Sequence, residues 1–355
     1  MPMHFQAQDL EDQLSRLFEA AGSQAAEART VAANLVLANL SGHDSHGVGM
    51  APRYIDAICE GGLTPNTAVQ VRTDHGMLLG LDGRQGFGQI VGSQAMGMAM
   101  DKVRQHGACI YTLSHAHHLG RIGHFAEMAV ERGLISLHFV NVRSRPVVAA
   151  WHGGDGRYGT NPCCIGIPMG LGEARREPFV LDFATSRVAQ GKMRVAHNLG
   201  KSVEPGTLID EYGQATTRPG VVVVPQSNGR YGALMPFGEH KGFGLAVACE
   251  LLGGALSGGG TWHHEANDKR AVYNGMLGIV IDPQALGVAE SFSAEALAFA
   301  DWLKASPDAP GTDGVHLAGE PERQARKDRR AQGIEVDDNT WAEIVASGAK
   351  VGLKI

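Results

Sequence analysis

Apolar residues in the first forty positions keep helical spacing. Leu10, Leu14, Leu17 and Phe18 form one stripe, Gly22 and Ser23 interrupt it, and Ala28, Val31, Leu35, Val36 and Leu40 resume it. This pattern predicts a helical hairpin over residues 8–40 and a third helix over 50–59 that stops before Gly61 and Gly62. From residue 68 the apolar runs shorten. Residues 77–81 read as a strand closed by the turn Asp82-Gly83. A helix over 92–104, a strand over 108–113, a helix over 120–131 and a strand over 134–142 follow. That β-α-β-α-β rhythm is the signature of a sheet with crossover helices. Further strands are expected at 163–168, 179–182 and 275–281, and an apolar helix over 241–256. Residues 305–320 read as a long loop and the charged run 320–330 as a solvated helix. A last helix covers 341–346, with Asp337, Asp338, Asn339 and Thr340 as its cap choices. No internal repeat is seen.

Composition narrows the class. The chain has 355 residues, 43% of them hydrophobic, enough for a sizeable core. Its net charge of −6 argues against a nucleic-acid partner, which usually needs a clustered basic surface. Residues 1–16 are polar and carry Asp9, Glu11 and Asp12, unlike a secretory leader. The longest apolar stretch, 243–256, is interrupted by Glu250, Gly253 and Gly254 and is too short and polar to span a membrane. Cys59, Cys109, Cys163, Cys164 and Cys249 form no C-x-x-C pair and read as reduced, mostly buried thiols of a cytoplasmic protein.

Two compositional excesses remain: 16 histidines and 48 glycines. Histidine clusters in two segments, 41–48 and 114–124, each where an element ends and a glycine-bearing loop begins. A lone histidine usually reads as a surface or satisfied core residue. Two clusters on separate loops point to proton transfer near neutral pH, with Ser45 and Asp44 beside His46. His115, His117 and His118 are spaced too tightly for a familiar zinc site, and H-E-x-x-H is absent, so no metal ligands are assigned. Gly86, Gly88 and Gly92 form G-x-G-x-x-x-G rather than the dinucleotide fingerprint; turn or packing glycine is the plainer reading. The residues by themselves reach an α/β protein using histidine, and name no cofactor.

Six strings then occur in order: SGHDSHGVGMAPRY (41–54), HHLGRIGHFAE (117–127), WHGGDGRYGTNP (151–162), VLDFATS (180–186), GEHKGFGLAV (238–247) and LLGGALSGG (251–259). They resemble the malate/L-lactate dehydrogenase family that is distinct from the Rossmann enzymes, and within it the bacterial hydroxycarboxylate dehydrogenase B type. The likeness runs from residue 8 to about 345. It implies a non-Rossmann, mixed-sheet α/β fold of the L-sulfolactate dehydrogenase type. An N-terminal helical region (1–76) would pack with a C-terminal segment (285–355), around a central α/β region (77–284) that binds cofactor and substrate. It also implies a homodimer and hydride transfer between NAD, or alternatively NADP, and C2 of a 2-hydroxy or 2-oxo carboxylic acid.

Position by position, the resemblance makes His46 and His118 the catalytic histidines, with Ser45 beside His46 and Asp182 as third member of the relay. Cofactor contacts would come from His46, Gly120, Arg121, Ile122, Val180, Leu181, Asp182, Phe183, Ala184, His240, Asn274, Gly319, Glu320, Pro321 and Glu322. Arg121 is one choice for gripping the C1 carboxylate. Many members carry an arginine where this chain has Met50, which suggests a monocarboxylate with an apolar or larger side chain. Arg53 is expected on a different helical face. The alternatives are a cyclic imino-acid reductase of the same family and, more distantly, a histidine-dependent metallohydrolase.

Overall fold

A computed structural model describes residues 3–263 and 271–355; the first two residues of the polar stretch 1–16 lie outside it. Strand β1 (Met3–Phe5) leads into α1 (Ala7–Ala20) and α2 (Ala25–Leu40), and α3 (Ala51–Cys59) follows. The stripe read from the sequence is the buried one: Leu10, Leu14, Leu17 and Phe18 on α1 pack against Ala28, Val31, Leu35 and Val36 on α2.

Next come β2 (Gln70–His75), β3 (Leu78–Asp82), α4 (Gly88–His106), β4 (Ala108–His117), α5 (Gly123–Val130) and β5 (Ile135–Arg143). The short strands β6 (Val148–Ala149) and β7 (Gly156–Tyr158) precede β8 (Cys163–Ile167) and β9 (Phe179–Phe183). Then follow α6 (Gln190–Asn198), β10 (Leu208–Ile209), β11 (Ala215–Thr216), α7 (Gly220–Val223), β12 (Ala233–Leu234) and α8 (His240–Cys249). The chain closes with β13 (Tyr273–Ile281), α9 (Ala289–Lys304), α10 (Glu320–Gln332), β14 (Ile334–Val336) and α11 (Asp338–Lys350).

The main sheet has the order β2-β3-β4-β13-β5-β8-β9. Only β3 and β4 pair in parallel; β13 lies antiparallel between β4 and β5, with Leu277 opposite Thr112 on one side and Phe139 on the other. The expected crossover rhythm therefore holds for one unit, and a strand from far along the chain separates the next two. This is the mixed-sheet arrangement implied by the resemblance. A smaller sheet, β11-β10-β12-β6-β7, has strands of two or three residues, too short to leave a periodic signal. Among the described residues no helix is long and apolar enough to cross a membrane.

Three departures from the sequence reading shape the site. Strand β4 runs on to His117, and α5 starts at Gly123, so residues 118–122 form a turn rather than the start of a helix. Asn274 on β13 holds that turn open by accepting the Leu119 N–H at 2.8 Å. The charged run is helical but is not merely solvated. Arg326 on α10 donates to Ser41 at 2.8 Å and pairs with Glu127 on α5 at 2.5 Å. The C-terminal segment also divides: Ile334, Val336 and Ile344 join the N-terminal core, whereas α9 docks beside the loop after β8, where Ser293 accepts the Leu171 N–H at 3.1 Å.

Because Ile344 on α11 is fully buried in that N-terminal core, Ile344→Ala is expected to cost about 2–5 kcal/mol, read as a lower urea midpoint with an unchanged slope. An unchanged midpoint would mean that α11 contributes nothing to that core.

Candidate functional site

The loop after α2 is clamped from both sides. Asn39, at the end of α2, accepts the Val48 N–H at 2.7 Å and donates to Asp44 at 2.6 Å. A Cβ on Gly47 would fall 2.0 Å from Asn39 Oδ1, so only glycine lets the loop close this tightly. From α10, Arg329 grips the two carboxylate oxygens of Asp44 at 2.6 and 3.1 Å, a bidentate pair. His46, two residues on, is thereby held in place, part-buried.

There His46 meets His118. Nδ1 of His46 lies 3.2 Å from Nε2 of His118, and the rings stack with centroids 5.3 Å apart. The other nitrogen of His118, Nδ1, is 2.6 Å from the hydroxyl of Tyr54 on α3, which itself accepts from Gln89 Nε2 at 2.8 Å. Gly88, beside Gln89, has no room for a Cβ, which would fall 2.3 Å from the His118 carbonyl; α4 can therefore begin directly under the histidine. The Gln89 amide N–H donates to the Tyr54 oxygen, and the links from Tyr54 to His118 and from His118 to His46 run either way with the tautomers of the two rings. The row ends at His46 Nε2, which has no protein partner among the described residues.

The row is neutral. Burial lowers His46 to about 4, helped by the nearby His43 and Arg121. Burial, with His46, His117 and Arg53 close by, holds His118 well below the usual histidine range. Burial raises Tyr54 above the usual phenol range.

The residues implied as cofactor contacts are held by the following bonds. Gly120 turns with φ +76° beside Asn34 and Gln89, whose Oδ1 and Oε1 are buried without a partner among the described residues. The N–H of Val180 on β9 bonds the Ala318 carbonyl at 3.0 Å, bringing Val180, Leu181, Phe183 and Ala184 against the turn at Gly319 that opens α10. From the first turn of that helix, beyond Pro321, Glu322 reaches His43 at 3.2 Å. Glu320 turns the other way, to Lys304 at 2.8 Å. His240 stands exposed at the start of α8, tied to the end of β9 through the Phe183–Phe237 ring contact at 5.6 Å. Asn274 spends its amide on the Leu119 N–H and on the Asn141 carbonyl, each at 2.8 Å.

Several expected roles are corrected. Asp182 Oδ2 accepts the Gly123 N–H at 2.7 Å, starting α5, and burial raises its carboxyl despite that bond and the nearby Arg121 and His43; among the described residues it makes no hydrogen bond to His46 or His118. Ser45 lies against Gly191 of α6, and His118 is the ring that positions His46. Arg121 is only 3% exposed and paired with Glu127; its guanidinium is committed, whereas the backbone of Gly120, Arg121 and Ile122 forms the turn. Met50 packs into the N-terminal core.

Arg53, by contrast, bears on His118. It is exposed on α3, with Arg194, Arg145 and Glu343 within electrostatic reach. Burial and the neighbouring Arg194 and Arg145 push it below the usual arginine range. Sequence reasoning missed Tyr54, Gln89, Arg145 and Arg194. Tyr54 falls at core spacing on α3, and nothing local marks it as a histidine partner.

Residues 5–345 match the malate/L-lactate dehydrogenase family. Hydroxycarboxylate dehydrogenase B of Escherichia coli (strain K12) is 42% identical over 98% of this chain and 94% of that protein. The solved structure of sulfolactate dehydrogenase from Methanocaldococcus jannaschii superposes with a TM-score of 0.85 at 28% identity, covering 99% of this chain and 98% of that one. That of Δ1-piperideine-2-carboxylate reductase from Pseudomonas syringae pvar. tomato gives 0.83 at 27% identity, covering 97% and 99%.

Buried neutral histidines carry a consequence for stability. Burial lowers His117 and His138 to about 3, alongside His46 at about 4, against 6.5 for a free histidine. Below 6.5 the unfolded chain takes up protons that the folded chain refuses. Stability is therefore complete above that pH and is lost as pH falls toward 4, by up to roughly 1.4 kcal/mol per pH unit for each histidine. In urea titrations between pH 7 and 4.5, His138→Leu should lower that slope by about one proton. Equal slopes in the two proteins would show that His138 titrates alike folded and unfolded.

Proposed function

The chain belongs to the malate/L-lactate dehydrogenase family, and from that premise we propose that it transfers hydride between a nicotinamide dinucleotide and C2 of a 2-hydroxy or 2-oxo carboxylic acid. The observation that carries this reading is the hydrogen-bonded row from Gln89 through Tyr54 and His118 to His46, whose Nε2 has no protein partner among the described residues. Such a row suits a base that must take a proton from a hydroxyl as hydride leaves the adjacent carbon.

The residues present fit the dinucleotide. The turn at Gly120, the strand Val180 to Phe183 and the turn at Gly319 are backbone-rich and converge. Asn34 Oδ1 and Gln89 Oε1 are buried acceptors without donors among the described residues, as a site for a carboxamide requires. When bound, NAD, or alternatively NADP, supplies the hydride acceptor or donor.

The chain's own groups do the rest. Neutral His46 accepts the hydroxyl proton at Nε2. In that tautomer His46 Nδ1 carries the proton and donates to His118 Nε2, while His118 Nδ1 faces Tyr54, so the row holds the ring and spreads the resulting positive charge. In the opposite direction protonated His46 returns the proton to the developing alkoxide. The apolar side chain suggested for the substrate rested on Met50, and with Met50 in the N-terminal core that reading loses its support. A homodimer is part of the same proposal and is measured by sedimentation velocity.

A second reading, reduction of a cyclic imino acid, is favoured by the likeness to the piperideine carboxylate reductase. The same proton row would serve a C=N bond. Following NADH and NADPH oxidation with a panel of 2-oxo acids and cyclic imines separates the two.

His46→Ala and His118→Ala are expected to lower turnover by roughly 10²–10⁴-fold with the fold intact by circular dichroism. Full activity in both variants would sink the assignment. Oxidation of the hydroxy acid needs neutral His46, so its rate should hold from pH 7 to about 5 and fall as pH approaches 4.

A further inference from the structure

Away from the histidine row, the far end of α6 borders a hollow of its own. Helix α6 opens with Gly191 against Ser45, where a Cβ would fall 2.6 Å from the Ser45 Cβ, and it closes at Asn198. The chain then turns back on itself. Gly200 takes φ +62°, and the Lys201 N–H bonds the Ala196 carbonyl at 2.9 Å. Residues 217–224 run alongside, held by the Val203 N–H on the Thr217 carbonyl at 2.9 Å. Between the two segments lies a hollow of about 330 Å³. His197, Lys201 and Ser202 line it from one segment, and Arg218, Val221 and Val224 from the other. His197 is closely fitted: a Cβ on Gly220, at the start of α7, would fall 3.0 Å from its Nδ1.

Charge sets this hollow apart. The chain has 37 acidic residues against 31 basic ones, yet no Asp or Glu lines it. Arg121, Arg326 and Arg329 are each paired with a carboxylate. The side chains of Lys201 and Arg218 have no hydrogen-bond or ion-pair partner among the described residues. Two cations brought to one hollow without a counter-charge repel each other, and an anion between them removes that cost. The donors come from two segments, an ammonium and a hydroxyl from one and a guanidinium from the other. A phosphate offers oxygens in several directions and suits such a set, whereas a carboxylate is matched by a single guanidinium fork. Val221 and Val224 place apolar surface beside the cations, which inorganic phosphate would leave uncovered.

We propose that this hollow binds a phosphate monoester. Arg218 and Lys201 hold the phosphate, the Ser202 hydroxyl donates to it, and the organic body lies on Val221 and Val224. The site is separate from the histidine row and does not depend on the hydride-transfer reading.

The test is calorimetry on the full chain at low salt, with phenyl phosphate as the probe and inorganic phosphate and phenol as its two halves. Phenyl phosphate should bind more tightly than either half. Arg218→Gln and Lys201→Gln should each weaken it about tenfold, and Arg218→Lys should keep part of the affinity. Lys192→Gln, on the exposed side of α6 and outside the hollow, should bind as the unaltered protein does. Affinity should fall as salt is raised and be the same with and without NAD. No binding of phenyl phosphate, binding that NAD displaces, or unchanged affinity in both Arg218→Gln and Lys201→Gln would overturn the site. Inorganic phosphate binding as tightly as phenyl phosphate would overturn the assignment to an ester.

Discussion

Everything at the site depends on the clamp that holds His46 over His118. The two rings come from residues 72 positions apart, and a shift of one ångström would break a hydrogen bond already 3.2 Å long. Asn39 closes the loop from within, and Arg329 closes it from α10 by gripping Asp44. Arg326 on the same helix pairs with Glu127, which also takes Arg121. The charged helix therefore acts as a tie bar between α2 and α5, the two helices that flank the histidine turn. Its ion pairs are partly buried and share partners, so they resist separation better than isolated surface pairs do.

That tie bar explains the architecture on either side. The C-terminal strand β14 pairs with β1, and α11 buries Ile344 among the N-terminal helices, so α10 is pinned at its far end. On the other flank β13 enters the sheet between β4 and β5 and supplies Asn274, whose carboxamide shapes the turn after His118. The site thus sits where the N-terminal helices, the main sheet and the C-terminal helix meet. Its electrostatics follow from that position. Burial strips water from the histidines and keeps them neutral, and the surrounding arginines reinforce the effect.

Much of this was legible in residue order. The stripes on α1 and α2, the strands β3, β5, β8, β9 and β13 and the two histidine loops all stand in the pattern of apolar and glycine positions, because each is a local property of period or turn chemistry. Motif likeness added the mixed sheet. The partners of the histidines were not legible. Asp182 and Ser45 looked like relay members by adjacency or motif, yet a backbone N–H claims Asp182 and α6 covers Ser45. Tyr54 looked like an ordinary helix residue, and Gln89 stood in the glycine-bearing segment before one.

By itself, then, the sequence determined the N-terminal helices, several strands of the main sheet and which titratable groups sit on loops, since those follow from short-range periodicity and backbone freedom. Tertiary structure alone decided which strand separates β4 from β5, that Met50 packs into the N-terminal core, and that Tyr54 and Gln89 meet His118 from separate helices. The physical reason is that hydrogen bonds and charges act over a few ångströms in space. Chain order does not record those distances until long-range packing has brought the segments together.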